Sequence, residues 1–277
     1  MVDVPAGGRR ARETPRSAGP RSVPRCDASG LRRLNGWHEI VILVSAWLVY
    51  FGIRAVSEGR AGLARAHSRA LMRFETHLGV AWEHAVQRSF ADHHWLITAS
   101  NWVYVWGHWP LIAAVALWLF HRRPAAYREL RLAFLVSGSI GVVIFALYPV
   151  APPRLAGFGL LDSVTRYSHA YRALQPRELT NIYAAFPSLH FGWDLLVGLA
   201  LAREASWRAL RIAGALAPAA MAVAVIATAN HFVIDVPAGG AVALTGLFAA
   251  RRILFIQSSR SARTVPDDGL LAAPRRA

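Results

Sequence analysis

Residues 40–53 read IVILVSAWLVYFGI, fourteen positions without a charge. A run this apolar approaches the ~20 residues that cross the hydrocarbon of a bilayer as a helix. It begins too far from the first residue, and lacks the small-residue cleavage site, to be a signal peptide, so it reads as a retained span. Five further apolar stretches follow at 97–120, 129–149, 187–202, 208–229 and 234–256. Together they predict an all-α protein, a six-helix transmembrane bundle with outer amphipathic helices, occupying residues 37–257. A disordered basic N-terminal arm (1–36) and a disordered C-terminal tail (258–277), both rich in Arg, Pro and Ser, flank it.

The composition agrees with a membrane solvent: 55% of the 277 residues are hydrophobic, 17% are charged, and ten are Trp. All 31 basic residues are Arg, and they crowd the ends of the apolar stretches. The net charge of +15 therefore fits anionic lipid headgroups rather than nucleic acid. The lone Cys26 excludes an intrachain disulfide. With the N-terminus in the cytoplasm, 21 of the 31 Arg fall on the inner side, which places both termini inside and the 58–94 segment outside. The load of Arg, Ala and Gly fits a GC-rich bacterial gene, hence a bacterial plasma membrane.

In the 58–94 segment Leu63, Leu71, Phe74, Leu78 and Trp82 recur at helical spacing among Arg, Glu and His. One or two amphipathic helices on the outer leaflet follow, either capping the bundle or shaping a pocket. His77, His84, His93 and His94 lack ligand spacing with carboxylate support, so no metal site is predicted.

That topology gathers three polar clusters on the outer surface: YPVAPPRLAGF (148–158), FPSLHFGW (186–193) and NHFVIDVPAGG (230–240). His231 and Asp235 stand four residues apart on one helical face, so the carboxylate can fix the ring tautomer and leave the other nitrogen as an attacking lone pair. The same pair could instead brace a short turn. His190 tips the balance towards chemistry. Pro187 suits the first helical position, which puts Ser188 and His190 in a first turn whose free N–H groups form an anion site. There His190 can protonate a leaving oxygen, Ser188 can donate a hydrogen bond, and Arg154, after Pro152 and Pro153, can clamp phosphate oxygens. This set describes phosphoryl transfer without metal or other cofactor. Asn101, Tyr104 and His108 share one face of the second span and could line a headgroup pocket, or could simply hydrogen-bond between helices. Trp95, Trp102, Trp106 and Trp109 read as interfacial anchors.

PSLH, followed forty-one positions after its His by the His of HFVID, resembles the second and third signature blocks of the type 2 phosphatidic acid phosphatase superfamily. AAFPSLHFGW and NHFVIDVPAGG look most like its branch containing the inositol phosphorylceramide synthases. The resemblance covers roughly residues 40–256. It implies a phosphohistidine at His231, an orienting Asp235 and a general acid at His190. Two departures stand out. The first block is reduced to PPRL around Arg154, and VIATAN before His231 contains no Arg. Arg166, Arg172 and Arg177 in the outer loop are candidates to replace it.

The expected function is therefore an integral membrane transferase that moves a phosphoryl or phospho-headgroup from a lipid phosphoester through a phosphohistidine, in the manner of an inositolphosphotransferase. A lipid phosphate phosphatase, with water as acceptor, is the alternative. A non-enzymatic membrane protein with structural histidines is the competing class.

Overall fold

The computed structural model describes residues 35–163 and 182–263, all within one compact unit, Asn35–Ala277. The basic arm, the loop carrying Arg166, Arg172 and Arg177, and the tail beyond residue 263 lie outside the described residues. The chain is all-α as expected: α1 (Gly36–Ser57), α2 (Ala61–Leu78), α3 (Glu83–Ala91), α4 (His94–Trp106), α5 (Trp109–Arg122), α6 (Pro124–Leu147), α7 (Leu189–Glu204), α8 (Arg208–Ala227) and α9 (Asp235–Arg263). The one β feature among the described residues is a parallel bridge between Val150 and Ala184.

Three described helices are long and apolar enough to cross a membrane: α6, α8 and residues 235–260 of α9. The pair α4 and α5, bent by 43° at the break between them, makes a fourth if it is counted as one span. By this measure, applied to the described residues, the count of six spans is not confirmed: α7, for one, has 16 residues. Leu43 and Leu48 on α1, Leu216 on α8 and Phe248 on α9 face outward, as lipid-solvated positions do.

The second stretch, expected as one span over 97–120, breaks at Gly107 and His108. Pro110 explains the break, because it has no N–H for the carbonyl of Trp106 and disfavours a helical Trp109. The break is not lipid-exposed backbone; His108 is 2% exposed. The start of α7 is also corrected. Ser188 is the N-cap, its Oγ accepting the Phe191 N–H at 3.4 Å, so Pro187 precedes the helix instead of opening it. A serine side chain satisfies a free N–H that proline leaves bare. α9 runs to Arg263, past the expected end of the bundle at 257.

The 58–94 segment folds as the two amphipathic helices α2 and α3. Gly79, at φ 72°, closes α2 by donating its N–H to the carbonyls of Glu75 and Thr76, a left-handed cap that a side chain would strain.

α7 is central, packed by α5, α6, α8 and α9. Where α7 meets α9 there is room only for hydrogen: a Cβ on Gly192 would lie 2.5 Å from the Gly239 oxygen, and one on Gly239 would run into the Ser188 carbonyl. At the far end of the bundle Glu129 of α6 takes both Arg203 of α7 (2.8 Å) and Arg251 of α9 (3.1 Å). A buried contact, Glu39 to Tyr127 and Arg131, ties α1 to α6.

Candidate active site

The turn between α8 and α9 places the central histidine. α8 ends when Asn230 and His231 both donate their N–H to Val225 O, at 3.0 and 3.1 Å, with Ala229 in the left-handed region at φ 52°. Phe232 is then fully buried against Val150 and Ala185, which anchors the turn from its apolar side. The backbone bridge makes that wall rigid, since Val150 N–H donates to Tyr183 O (2.8 Å) and Ala185 N–H to Val150 O (3.2 Å).

His231, 4% exposed, turns its Nδ1 to two acceptors, the Ala185 carbonyl at 2.6 Å and Asp235 Oδ2 at 3.2 Å. A carbonyl oxygen can only accept, so Nδ1 carries the proton and Nε2 keeps its lone pair. Asp235 is fully buried; its Oδ2 also accepts the Phe232 N–H at 2.8 Å. The expected pair is thus formed, with the Ala185 carbonyl as a second tautomer lock.

His190 stands beside it, ring centroids 5.6 Å apart. Its other side is covered by Tyr104, stacked at 4.7 Å, and by His108 at 4.5 Å. His108 Nδ1 in turn lies 2.9 Å from Asp194 Oδ1, both residues buried. Asp194 sits one turn after His190 on α7, yet its partner comes from the α4–α5 break. Asn101, the third member of the expected pocket face, departs from it: its amide exchanges hydrogen bonds with Ser163 at 3.2 Å in each direction.

Arg154 arrives by a different route. Its backbone N–H donates to Ala229 O (3.1 Å), its Nε to Asn230 Oδ1 (2.9 Å) and Nη1 to Asp162 Oδ2 (2.8 Å). The guanidinium is thereby held against the residue that precedes His231. Ser188 is fully buried, and its N–H donates to the Asp235 carbonyl at 3.0 Å, stitching the starts of α7 and α9 together.

Three residues of the amphipathic helices complete the scaffold. Gln87 clamps Leu161, accepting its N–H at 2.7 Å and donating to its carbonyl at 2.8 Å, and so sets the strand of loop that bears Asp162. Glu75 Oε1 accepts the Ile234 N–H at 2.7 Å, and Glu83 Oε1 the Val233 N–H at 2.9 Å. Burial, and then the neighbouring Glu83 carboxyl, push the Glu75 carboxyl up to about 9. In the sequence these acids stand on the polar faces of amphipathic helices; in the fold Phe74 and Leu78 face outward while Glu75 and Glu83 are fully buried. Among the described residues no three or more of His, Cys, Asp and Glu converge as a metal ion would require.

A sequence model described as the PAP2 superfamily matches residues 69–249. A phosphoinositol dihydroceramide synthase of Bacteroides thetaiotaomicron is 25% identical over 194 residues, 62% of this chain. The match spans 62% of that relative's own length. No solved structure matches the chain.

Proposed function

This chain belongs to the PAP2 superfamily, whose matched region contains every site residue from Glu75 to Asp235, and on that premise we propose that it is a membrane enzyme transferring a phospho-headgroup from a lipid phosphoester to an alcohol. The observation that carries the reading is His231, whose Nδ1 is held by Ala185 O and Asp235 while its Nε2 stays free beside His190. A structural histidine would have both nitrogens satisfied.

The proposed reaction has two displacements. His231 Nε2 attacks phosphorus, the bond to the departing alcohol breaks, and His190 gives its proton to that oxygen. The positive charge arising on the His231 ring is balanced by Asp235, 3.2 Å from Nδ1. An acceptor hydroxyl then loses its proton to His190 and attacks the same phosphorus; the P–N bond breaks and returns its electron pair to Nε2. Arg154 and the first-turn N–H groups of α7, beginning after Ser188, stabilise the charge on the phosphoryl oxygens. Tyr104 and His108 hold the His190 ring from behind. Asn101, bound to Ser163, supports the loop rather than the headgroup.

The relative from Bacteroides is named for phosphoinositol dihydroceramide, itself a lipid phosphoester. This favours a transferase of the inositolphosphotransferase kind over hydrolysis, with water as the competing acceptor. The excess of Arg at the Glu129 end of the bundle supports an orientation with that end in the cytoplasm and the His231 end outside.

The test incubates purified protein with a panel of phospholipids, with and without inositol and ceramide, and identifies the products by mass spectrometry, with His231→Ala as the blank. A headgroup moved to an alcohol supports the transferase; free phosphate alone supports hydrolysis. Products identical to the blank would sink both.

A further inference from the structure

Two buried acids have no part in the steps above. Glu75 on α2 and Glu83 on α3 are both fully buried, although α2 and α3 are otherwise polar and half-exposed. Their Oε1 atoms take the N–H groups of Ile234 (2.7 Å) and Val233 (2.9 Å). The preceding N–H, that of Phe232, goes to Asp235 Oδ2 at 2.8 Å. Three successive amides of the turn behind His231 are thus each held by a different carboxyl oxygen. Such an arrangement leaves the turn no freedom to rotate.

Their Oε2 atoms are buried and have no hydrogen-bond partner, and Glu83 is near enough to Glu75 to disfavour its charged form. Two neighbouring buried carboxyls, neither of them ion-paired among the described residues, do not both carry a charge at neutral pH. The charged or titratable groups facing the pair come from the turn itself, Asp235 and, beyond it, His231.

We propose that Glu75 and Glu83 are positioning residues for the His231 nucleophile, acting as one singly protonated acid pair that fixes the 231–235 turn. The proposal rests on the role given to His231 above. Burial first, and the neighbouring Glu83 second, keep the proton on Glu75 until the pH reaches about 9. Beyond that point two negative charges meet beside Asp235, the clamp opens, and His231 loses its aim.

Gln tests this directly, because it keeps the accepting oxygen and replaces the O–H by an N–H donor. In the full chain, Glu75→Gln should hold kcat within about threefold at neutral pH and remove the alkaline fall in kcat. Glu75→Ala and Glu83→Ala should lower kcat about 10- to 100-fold with KM unchanged, the scale of a nucleophile displaced by an ångström. Two readouts need no turnover. The infrared C=O band of a protonated carboxyl should be present in the native protein, vanish on alkaline titration and be absent from Glu75→Gln. Hydrogen exchange at the amides of Val233 and Ile234 should quicken in both Ala variants. Absence of that band, an alkaline fall unchanged in Glu75→Gln, or an Ala loss confined to KM would overturn the proposal. If the native protein turned over no lipid yet showed the band and the exchange pattern, the assigned chemistry would fail while the acid pair stood.

Discussion

His231 and Ala185 lie 46 residues apart in the chain, yet the ring nitrogen Nδ1 and the Ala185 carbonyl oxygen meet at 2.6 Å. The tautomer of the proposed nucleophile is therefore set by backbone, with the Asp235 carboxylate, 3.2 Å away, in a second position. Where only a carboxylate sets the tautomer, its conversion to an amide costs about 10⁴-fold in kcat.

Here Asp235→Asn should cost less, on the order of 10²-fold, since the Ala185 carbonyl still fixes the proton on Nδ1 and only charge compensation is lost. Steady-state kinetics on the preferred lipid checks this. A loss of about 10⁴-fold would mean that the backbone contact does not hold the tautomer.

Stability should depend on pH through Glu75. Its carboxyl is raised from 4.5 to about 9 by burial first and by Glu83 second, so the folded chain binds a proton that the unfolded chain releases. The contribution is complete below the unfolded value and is lost as pH climbs through the folded one. Thermal midpoints in detergent should fall steadily from acid to alkaline pH, and Glu75→Gln should flatten that slope.

His108 Nδ1 and Asp194 Oδ1 form a buried hydrogen-bonded contact at 2.9 Å where α4 breaks from α5. Removing His108 leaves the buried carboxyl without its hydrogen-bond partner, so His108→Ala should destabilise by about 1–3 kcal/mol. The double variant with Asp194→Leu should recover most of it. A double-mutant cycle with no coupling would show that the two side chains act independently.

Asp162 occupies Arg154 Nη1 at 2.8 Å, where the proposed phosphate oxygens would bind. Asp162→Asn should weaken that competitor and lower the inhibition constant of orthovanadate several-fold. An unchanged or higher constant would mean that Asp162 orients the guanidinium and does not compete for it.

His190, His231 and Asp235 were legible because each stands at a helix end, where polarity beside a long apolar run demands a reason. The sequence puts Asn101, Tyr104 and His108 on one helical face; the break at Gly107 takes His108 off α4, although both Tyr104 and His108 reach the His190 ring, and Asn101 pairs with Ser163, on a loop whose position no spacing specifies. The break before α5 was written in Pro110, but a hydropathy window averages across it. Pro187 fitted a first-turn position, and the Ser188 hydroxyl outcompeted it as cap. Glu75 and Glu83 were invisible for a physical reason: their partners lie 159 and 150 residues further along, and an acid on an amphipathic helix is ordinarily solvated.

That separation bears on how the protein is made. At about 5–20 residues per second, roughly 8–30 seconds pass between synthesis of Glu83 and of the amide it will hold. During that interval neither acid has the amide that it holds in the folded chain. The turn that carries His231 is therefore held by helices made long before it, and a chain stopped short of residue 235 lacks the amides that Glu75 and Glu83 hold.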